Sequence, residues 1–310
     1  MSEYHSPWFL FNRHIETIYP ALLRKVNDVV YERKRLITPD DDFLDLDYVR
    51  TGSKKAVIIS HGLEGNTQRA YIKGMAKAFT KIGYDALTWN YRGCSEEINR
   101  QLRFYHSGAT DDLDLIVRNA TLQYNELFLI GFSLGGNLTL KYVGEKGDHL
   151  HPKVKKAVAF SVPIDLYSSC LQISQPGNWI YTKRFLKSLE AKVIAKSKIM
   201  AGINPTYLQH IKTLMDFDEY YTAPLHGFAS ALDYYNKCSS KQFLETIKIP
   251  ALLVNAQNDP FLSKECFVQN TANPLLTFEM PKHGGHVGFS LFNKSGLYWS
   301  ELRAINFIHG

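Results

Sequence analysis

The stretch from Glu126 to Gly136, ELFLIGFSLGG, limits what this chain can fold into more than any other segment. Leu127 to Ile130 form an apolar run that leads directly into Gly131-Phe132-Ser133-Leu134-Gly135, the pattern of a buried strand, a sharp turn and a helix start. Ser133 falls at the turn. A serine held there takes a strained backbone conformation, and side chains two positions away on either side would collide, which explains Gly131 and Gly135. The N–H of Leu134 then opens the helix continued by Asn137 to Val143 and points to where a tetrahedral oxyanion would form. A bare GxSxG is common by chance. The flanking strand and helix patterns are what make Ser133 a candidate nucleophile rather than a structural turn.

The segments around this one repeat the same rhythm. Val29–Ile37 and Phe43–Val49 read as an antiparallel edge hairpin about the turn Thr38–Asp42, and Ala56–Ser60 is continuously apolar, as a strand buried on both faces must be. The loop His61-Gly62-Leu63-Glu64-Gly65 ends that strand and can offer a second oxyanion donor, the N–H of Leu63 or Glu64, to act with Leu134; the assignment taken is Leu63. His61 is read as bracing this loop. Helices over 70–82 and 109–121, with strands over 84–89 and 154–162, complete a series of strands joined by single amphipathic helices. That series builds a mostly parallel central sheet covered by helices on both faces.

The rhythm breaks between residues 163 and 224. That insertion is mainly helical, with helices expected over 179–195 and 206–215, and it is placed to cover the C-terminal ends of the strands as a lid. A helix over 226–236 and a strand over 249–256 follow, and Asp259 lies in the loop just beyond. After a last strand at 275–280 comes the glycine-rich loop Pro281–Phe289 with two histidines, of which His286 is preferred to His283 as the base. Asp165 is the second candidate for the acid. Serine, aspartate and histidine therefore follow one another at 133, 259 and 286, each after an expected strand, in the order of an α/β-hydrolase. Other triads run in different orders. The expected organisation is one domain, with core 27–162 and 225–310, an N-terminal arm over 1–26 and the lid over 163–224.

Composition narrows the rest. In 310 residues the cysteines are only Cys94, Cys170, Cys238 and Cys266, widely spaced, which points to a reducing, cytoplasmic setting and to neither a disulfide framework nor a zinc knuckle. Cys94 has no histidine near it in sequence and is not read as a nucleophile. The net charge of +6 comes from scattered Lys and Arg; the densest cluster, Arg33-Lys34-Arg35, lacks interleaved aromatics, so no nucleic-acid partner is expected. Charges among Met1–Pro20 exclude a signal-peptide core or a membrane span. The aromatics there read as an arm packed on the domain, or else as a patch for peripheral lipid contact. No metal or cofactor is called for by any ligand spacing. Monomer and dimer stay open.

The chain resembles the YheT-type branch of the α/β-hydrolase superfamily, which includes bacterial esterase-like proteins, plant EMB-type proteins and animal abhydrolase-domain lipid hydrolases. The resemblance rests on Phe11–Pro20, His61–Gly65, Asn90–Ser95, Tyr105–Gly108, Gly131–Asn137, Phe217–Glu219 with Thr222–Phe228, and Gly284–Phe289. It implies Ser133, Asp259 and His286 as the triad, and carboxylic esters as substrates, from short esters to glycerolipids and phospholipids. It also implies a soluble bacterial member, since the chain begins close to the Phe11–Pro20 segment. The expected activity is a serine ester hydrolase with an acyl-enzyme intermediate. An acyltransferase using the same triad and a non-catalytic scaffold are the alternatives.

Overall fold

The computed structural model describes residues 3–268 and 271–310. Among the described residues, eight strands are hydrogen-bonded into one sheet in the order β1-β2-β4-β3-β5-β6-β7-β8. They are β1 (Glu32–Ile37), β2 (Phe43–Val49), β3 (Lys55–Ser60), β4 (Asp85–Asn90), β5 (Glu126–Phe132), β6 (Val154–Phe160), β7 (Ala251–Val254) and β8 (Leu276–Glu279). β1 and β2 pair antiparallel, β2 runs antiparallel to β4, and every other pair is parallel. Among the described residues the helices are α1 (Arg13–Leu23), α2 (Ala70–Thr80), α3 (Thr110–Thr121), α4 (Leu134–Lys146), α5 (Leu166–Ile173), α6 (Trp179–Ser197), α7 (Leu214–Phe217), α8 (Ala223–Leu225), α9 (Ala231–Cys238) and α10 (Trp299–His309).

The continuously apolar strands follow from burial on both faces. Val57 and Ile59 of β3 pack with Ile72 and Phe79 of α2 and with Ala304 and Ile308 of α10, whereas Ile58 packs on the opposite face with Leu113 and Ile116 of α3 and Leu138 of α4. Successive residues of a strand point to opposite faces, so one apolar run serves two cores. The fold is an α/β-hydrolase fold with a mixed, mostly parallel sheet.

The edge hairpin differs from simple in-out alternation. Asp45 and Asp47 are buried as fully as the leucines beside them, because Arg35 and Arg33 on the outer strand sit opposite in register and grip them in paired contacts. Arg33 Nε lies 2.7 Å from Asp47 Oδ1, and Arg35 Nε lies 2.8 Å from Asp45 Oδ1. The basic cluster of the sequence is thus tied up in ion pairs that also charge the sheet edge, which discourages further strand pairing.

Between β6 and β7 the chain is helical. The expected helix over 206–215 is instead a 3-10 turn, Pro205–His210, followed by a new start at α7, where Thr213 accepts the N–H of Asp216 in a capping box. The helix expected from His226 begins only at Ala231, because Gly227 takes a positive φ of 75° and Ser230 supplies the N-cap. No described helix is long and apolar enough to cross a membrane. All four cysteines are buried and free.

Candidate active site

Ser133 links β5 to α4 with φ 54° and ψ −121°, in the left-handed region that a side chain rarely enters. A Cβ on Gly131 would strike the carbonyl of Gly135, and one on Gly135 would lie 2.5 Å from the carbonyl oxygens of Ser60 and His61. The turn therefore closes only with glycine at both places. Strain also gathers around it. Glu64, Ser161 and Val287 all have φ between 51° and 58°.

His286 Nε2 lies 2.9 Å from Ser133 Oγ, and its Nδ1 lies 2.9 Å from Asp259 Oδ2. The Asp259 side chain is fully buried in the loop after β7. A carboxylate accepts only, so Nδ1 carries the proton and Nε2 presents a lone pair to the serine hydroxyl. The Phe261 N–H donates to Asp259 Oδ1 at 2.9 Å, and the Phe261 ring covers the imidazole at a centroid separation of 4.1 Å. These contacts hold both groups while shielding them from water.

The histidine loop is braced from the other end of the chain. The His286 N–H donates to Thr17 Oγ1 at 2.9 Å, the Gly284 N–H donates to Glu16 Oε2 at 3.0 Å, and Asn258 Nδ2 reaches the same Glu16 oxygen at 2.7 Å. Ser161 Oγ accepts the Val287 N–H at 2.8 Å. Glu16 and Thr17 were not assigned from the sequence. Their signal is an acid and a hydroxyl side by side in the first half of α1, inside a segment shared with the resembled family.

The loop 61–65 lies against the serine, since a Cβ on Gly62 would sit 3.1 Å from Ser133 Cβ. Its N–H groups are sorted by their partners. Gly62 donates to Tyr71 Oη at 3.0 Å and Glu64 donates to Tyr105 Oη at 2.9 Å, whereas the N–H groups of Leu63 and Leu134 have no acceptor among the described residues. Glu64 is thereby removed as the alternative donor. Its carboxylate is held by Tyr105 at 2.7 Å, by Lys192 of α6 at 2.7 Å and by Ser188, so the loop 61–65 is tied to α6, the longest described helix between β6 and β7.

The other candidates are placed elsewhere. His61 is fully buried, with Nδ1 2.8 Å from the Gly62 carbonyl and Nε2 accepting from the Tyr91 N–H, and burial pushes its pKa down to about 3. His283 is exposed, 3.4 Å from Glu16 Oε1. Asp165 caps α5 through the Ser168 N–H and pairs with Lys241. Cys94 is buried beside Lys192, and burial pushes its thiol up to about 11. Among the described residues no three His, Cys, Asp or Glu side chains are grouped to hold a metal ion.

Two cavities meet at Ser133 and His286. One, of about 140 Å³, lies under the helices between β6 and β7 and is mainly apolar, with Leu166, Ile173, Phe185, Leu189 and Phe217 among its walls and Asp218 in its lining. The other, of about 310 Å³, is bounded by α1, the loop 61–65 and the start of α6, and includes Arg24, Arg69 and Arg184.

Comparison with known proteins gives the family and the fold. The profile of the family described as "Serine aminopeptidase, S33" matches residues 51–286. YheT of Escherichia coli is 32% identical over 288 residues, covering 90% of this chain and 84% of that protein. The mouse protein Phospholipase ABHD3 is 26% identical, covering 92% of this chain and 72% of that one. Among solved structures, an esterase from Pyrococcus furiosus superposes with a TM-score of 0.59 at 18% identity, covering 92% of this chain and 95% of that chain.

Proposed function

Since the chain belongs to the serine aminopeptidase S33 family of α/β-hydrolases, with YheT as a relative, we propose that it hydrolyses carboxylic esters through Ser133, His286 and Asp259. The observation that carries this reading is the unbroken path from Asp259 through both imidazole nitrogens to Ser133 Oγ, each step within 3.1 Å. His286 takes the hydroxyl proton as Ser133 Oγ attacks the acyl carbon. Asp259 stabilises the imidazolium that forms, and the Leu63 and Leu134 N–H groups receive the oxyanion. Collapse expels the alkoxide, which His286 protonates. Water then enters and gives a proton to His286 as it attacks the acyl-enzyme, and His286 returns that proton to Ser133 Oγ as the carboxylic acid leaves.

An ester fits the surroundings better than the amino-terminal peptide in the family's description. An aminopeptidase must neutralise a substrate ammonium beside the scissile bond. Here Glu64, the carboxylate of the loop 61–65, is already paired with Lys192, and the charged side chains of the larger cavity are otherwise arginines. The apolar cavity under the inserted helices suits an acyl chain. Mouse Phospholipase ABHD3 and the Pyrococcus esterase are named for ester substrates, which supports the same class.

The test is hydrolysis of p-nitrophenyl esters of increasing chain length beside a folded Ser133→Ala variant. Turnover that disappears in the variant supports the reading, and the length optimum sizes the acyl cavity. Equal turnover by both proteins would sink it.

A further inference from the structure

The larger cavity at the serine carries two cations that no acid in the described structure answers. Arg24 is one of its three arginines, but it forms a two-pronged pair with Glu301, at 2.7 and 3.0 Å, and stacks on Tyr298. Arg69 makes one hydrogen bond, to the Glu64 carbonyl at 3.1 Å, and no ion pair among the described residues. Arg184, on the first half of α6, makes neither hydrogen bond nor ion pair among them and is exposed at the cavity mouth. Glu64 is the acid in the cavity wall, and Lys192 neutralises it.

Two guanidinium groups facing one cavity without a counter-ion repel each other. Desolvation and then the nearby Arg69 both lower the Arg184 pKa, which is the electrostatic sign of that arrangement. An oxyanion placed between them would remove the repulsion and gain charge-assisted, forked hydrogen bonds.

The two cavities also divide a substrate. Both touch Ser133 and His286, so a scissile carbonyl at the serine directs its acyl chain one way and its alcohol half the other. The apolar cavity under the inserted helices takes the acyl chain. That leaves the arginine-bearing cavity for the alcohol half. Resting on the ester-hydrolase reading, we propose that Arg69 and Arg184 form an anion subsite for the alcohol half, so that the preferred substrates are carboxylic esters of an alcohol carrying a phosphate or comparable oxyanion. His286 returns its proton to the ester oxygen of that alcohol, which leaves with its phosphate intact.

The test compares two esters that share acyl chain and ester bond, 1-butyrylglycerol and 1-butyrylglycerol 3-phosphate. The expected kcat/KM ratio favours the phosphate-bearing ester by about tenfold or more, since a charge-assisted pair exceeds one decade in affinity. Arg184→Gln brings the ratio toward one and Arg184→Glu takes it below one. A ratio is read because a general loss of activity leaves it unmoved. The same pair with an oleoyl chain in neutral micelles separates a lipid headgroup from a free phosphate ester, by which pair has the larger ratio. Ratios near one for both pairs, with turnover that depends on Ser133, would overturn the anion subsite and leave the esterase standing. If no ester is turned over, the esterase reading fails by itself. Calorimetry of glycerol 3-phosphate against the protein then decides the subsite: binding abolished by Arg184→Glu supports it, and no binding beyond that of glycerol rejects it.

Discussion

Thr17 Oγ1 accepts the backbone N–H of His286 at 2.9 Å, so a helix near the N-terminus orients the proposed base 269 residues further on. The hydroxyl is itself fixed, because it donates to the Arg13 carbonyl at 2.7 Å within α1. Valine keeps the shape and removes the acceptor, leaving a sheltered N–H unpaired. The loss of such a bond is worth about 1 kcal/mol or somewhat more, so Thr17→Val is expected to lower kcat/KM about tenfold while the fold melts as one transition. Thr17→Ser should recover most of the rate. Unchanged kinetics in the valine variant would show that the loop holds its histidine without this contact.

In the proposed mechanism Ser133 and His286 act on one proton, so their losses should not add. Ser133→Ala and His286→Ala are each expected to lower kcat by roughly 10⁴-fold or more, and the double variant no further. Single-turnover kinetics on a p-nitrophenyl ester check this. A double variant much slower than either single one would mean the two side chains work in separate steps.

The segment that bears the proposed nucleophile is legible because its constraint is local. Apolar run, Gly131, Ser133 and Gly135 lie within a few residues, and the collisions that demand the glycines involve Gly135 and the adjacent β3 end. Asp259 and His286 are readable as loop residues after late strands, and the structure brings both to Ser133. The contacts that tune the site are invisible to periodicity. Glu16 and Thr17 reach residues 258–286, and Lys192 reaches Glu64 across 128 positions, so only the packed fold joins them. Local chemistry also moved the helix starts: Thr213 and Ser230 cap where apolar spacing alone placed earlier beginnings. Asp45 and Asp47 look solvent-facing in an alternating strand until Arg33 and Arg35 are seen opposite them.

Glu64 and Lys192 join the loop 61–65 to α6, with side-chain exposures of only 4% and 21%. Lys192→Met leaves the carboxylate buried beside Tyr105 without its cation, and breaking such a pair costs about 3 kcal/mol. The melting temperature should fall accordingly, and kcat should fall with it as the loop bearing the proposed Leu63 donor loosens. Adding Glu64→Gln removes the stranded charge, so the double variant is expected to be more stable than Lys192→Met alone. Denaturant melts of the three proteins test the order, and a double variant less stable than the single one would contradict it.

Asp218 supplies a pH signature for the helices between β6 and β7. It lines the apolar cavity beside Ser133, where burial raises its carboxyl from 3.8 to about 6 even though Tyr235 and Thr222 donate to it at 2.7 and 2.6 Å. Between those two values the folded state binds more protons than the unfolded chain. Stability from this group is therefore present below pH 4, declines as pH rises to about 6, and is flat above, a change of a few kcal/mol in all. Asp218→Asn cannot ionise and lacks this decline. Thermal melts of both proteins across this range should show the variant gaining on the native chain as pH rises from about 4 to about 6, then holding a constant offset. An offset independent of pH would mean that Tyr235 and Thr222 keep the carboxylate ionised throughout.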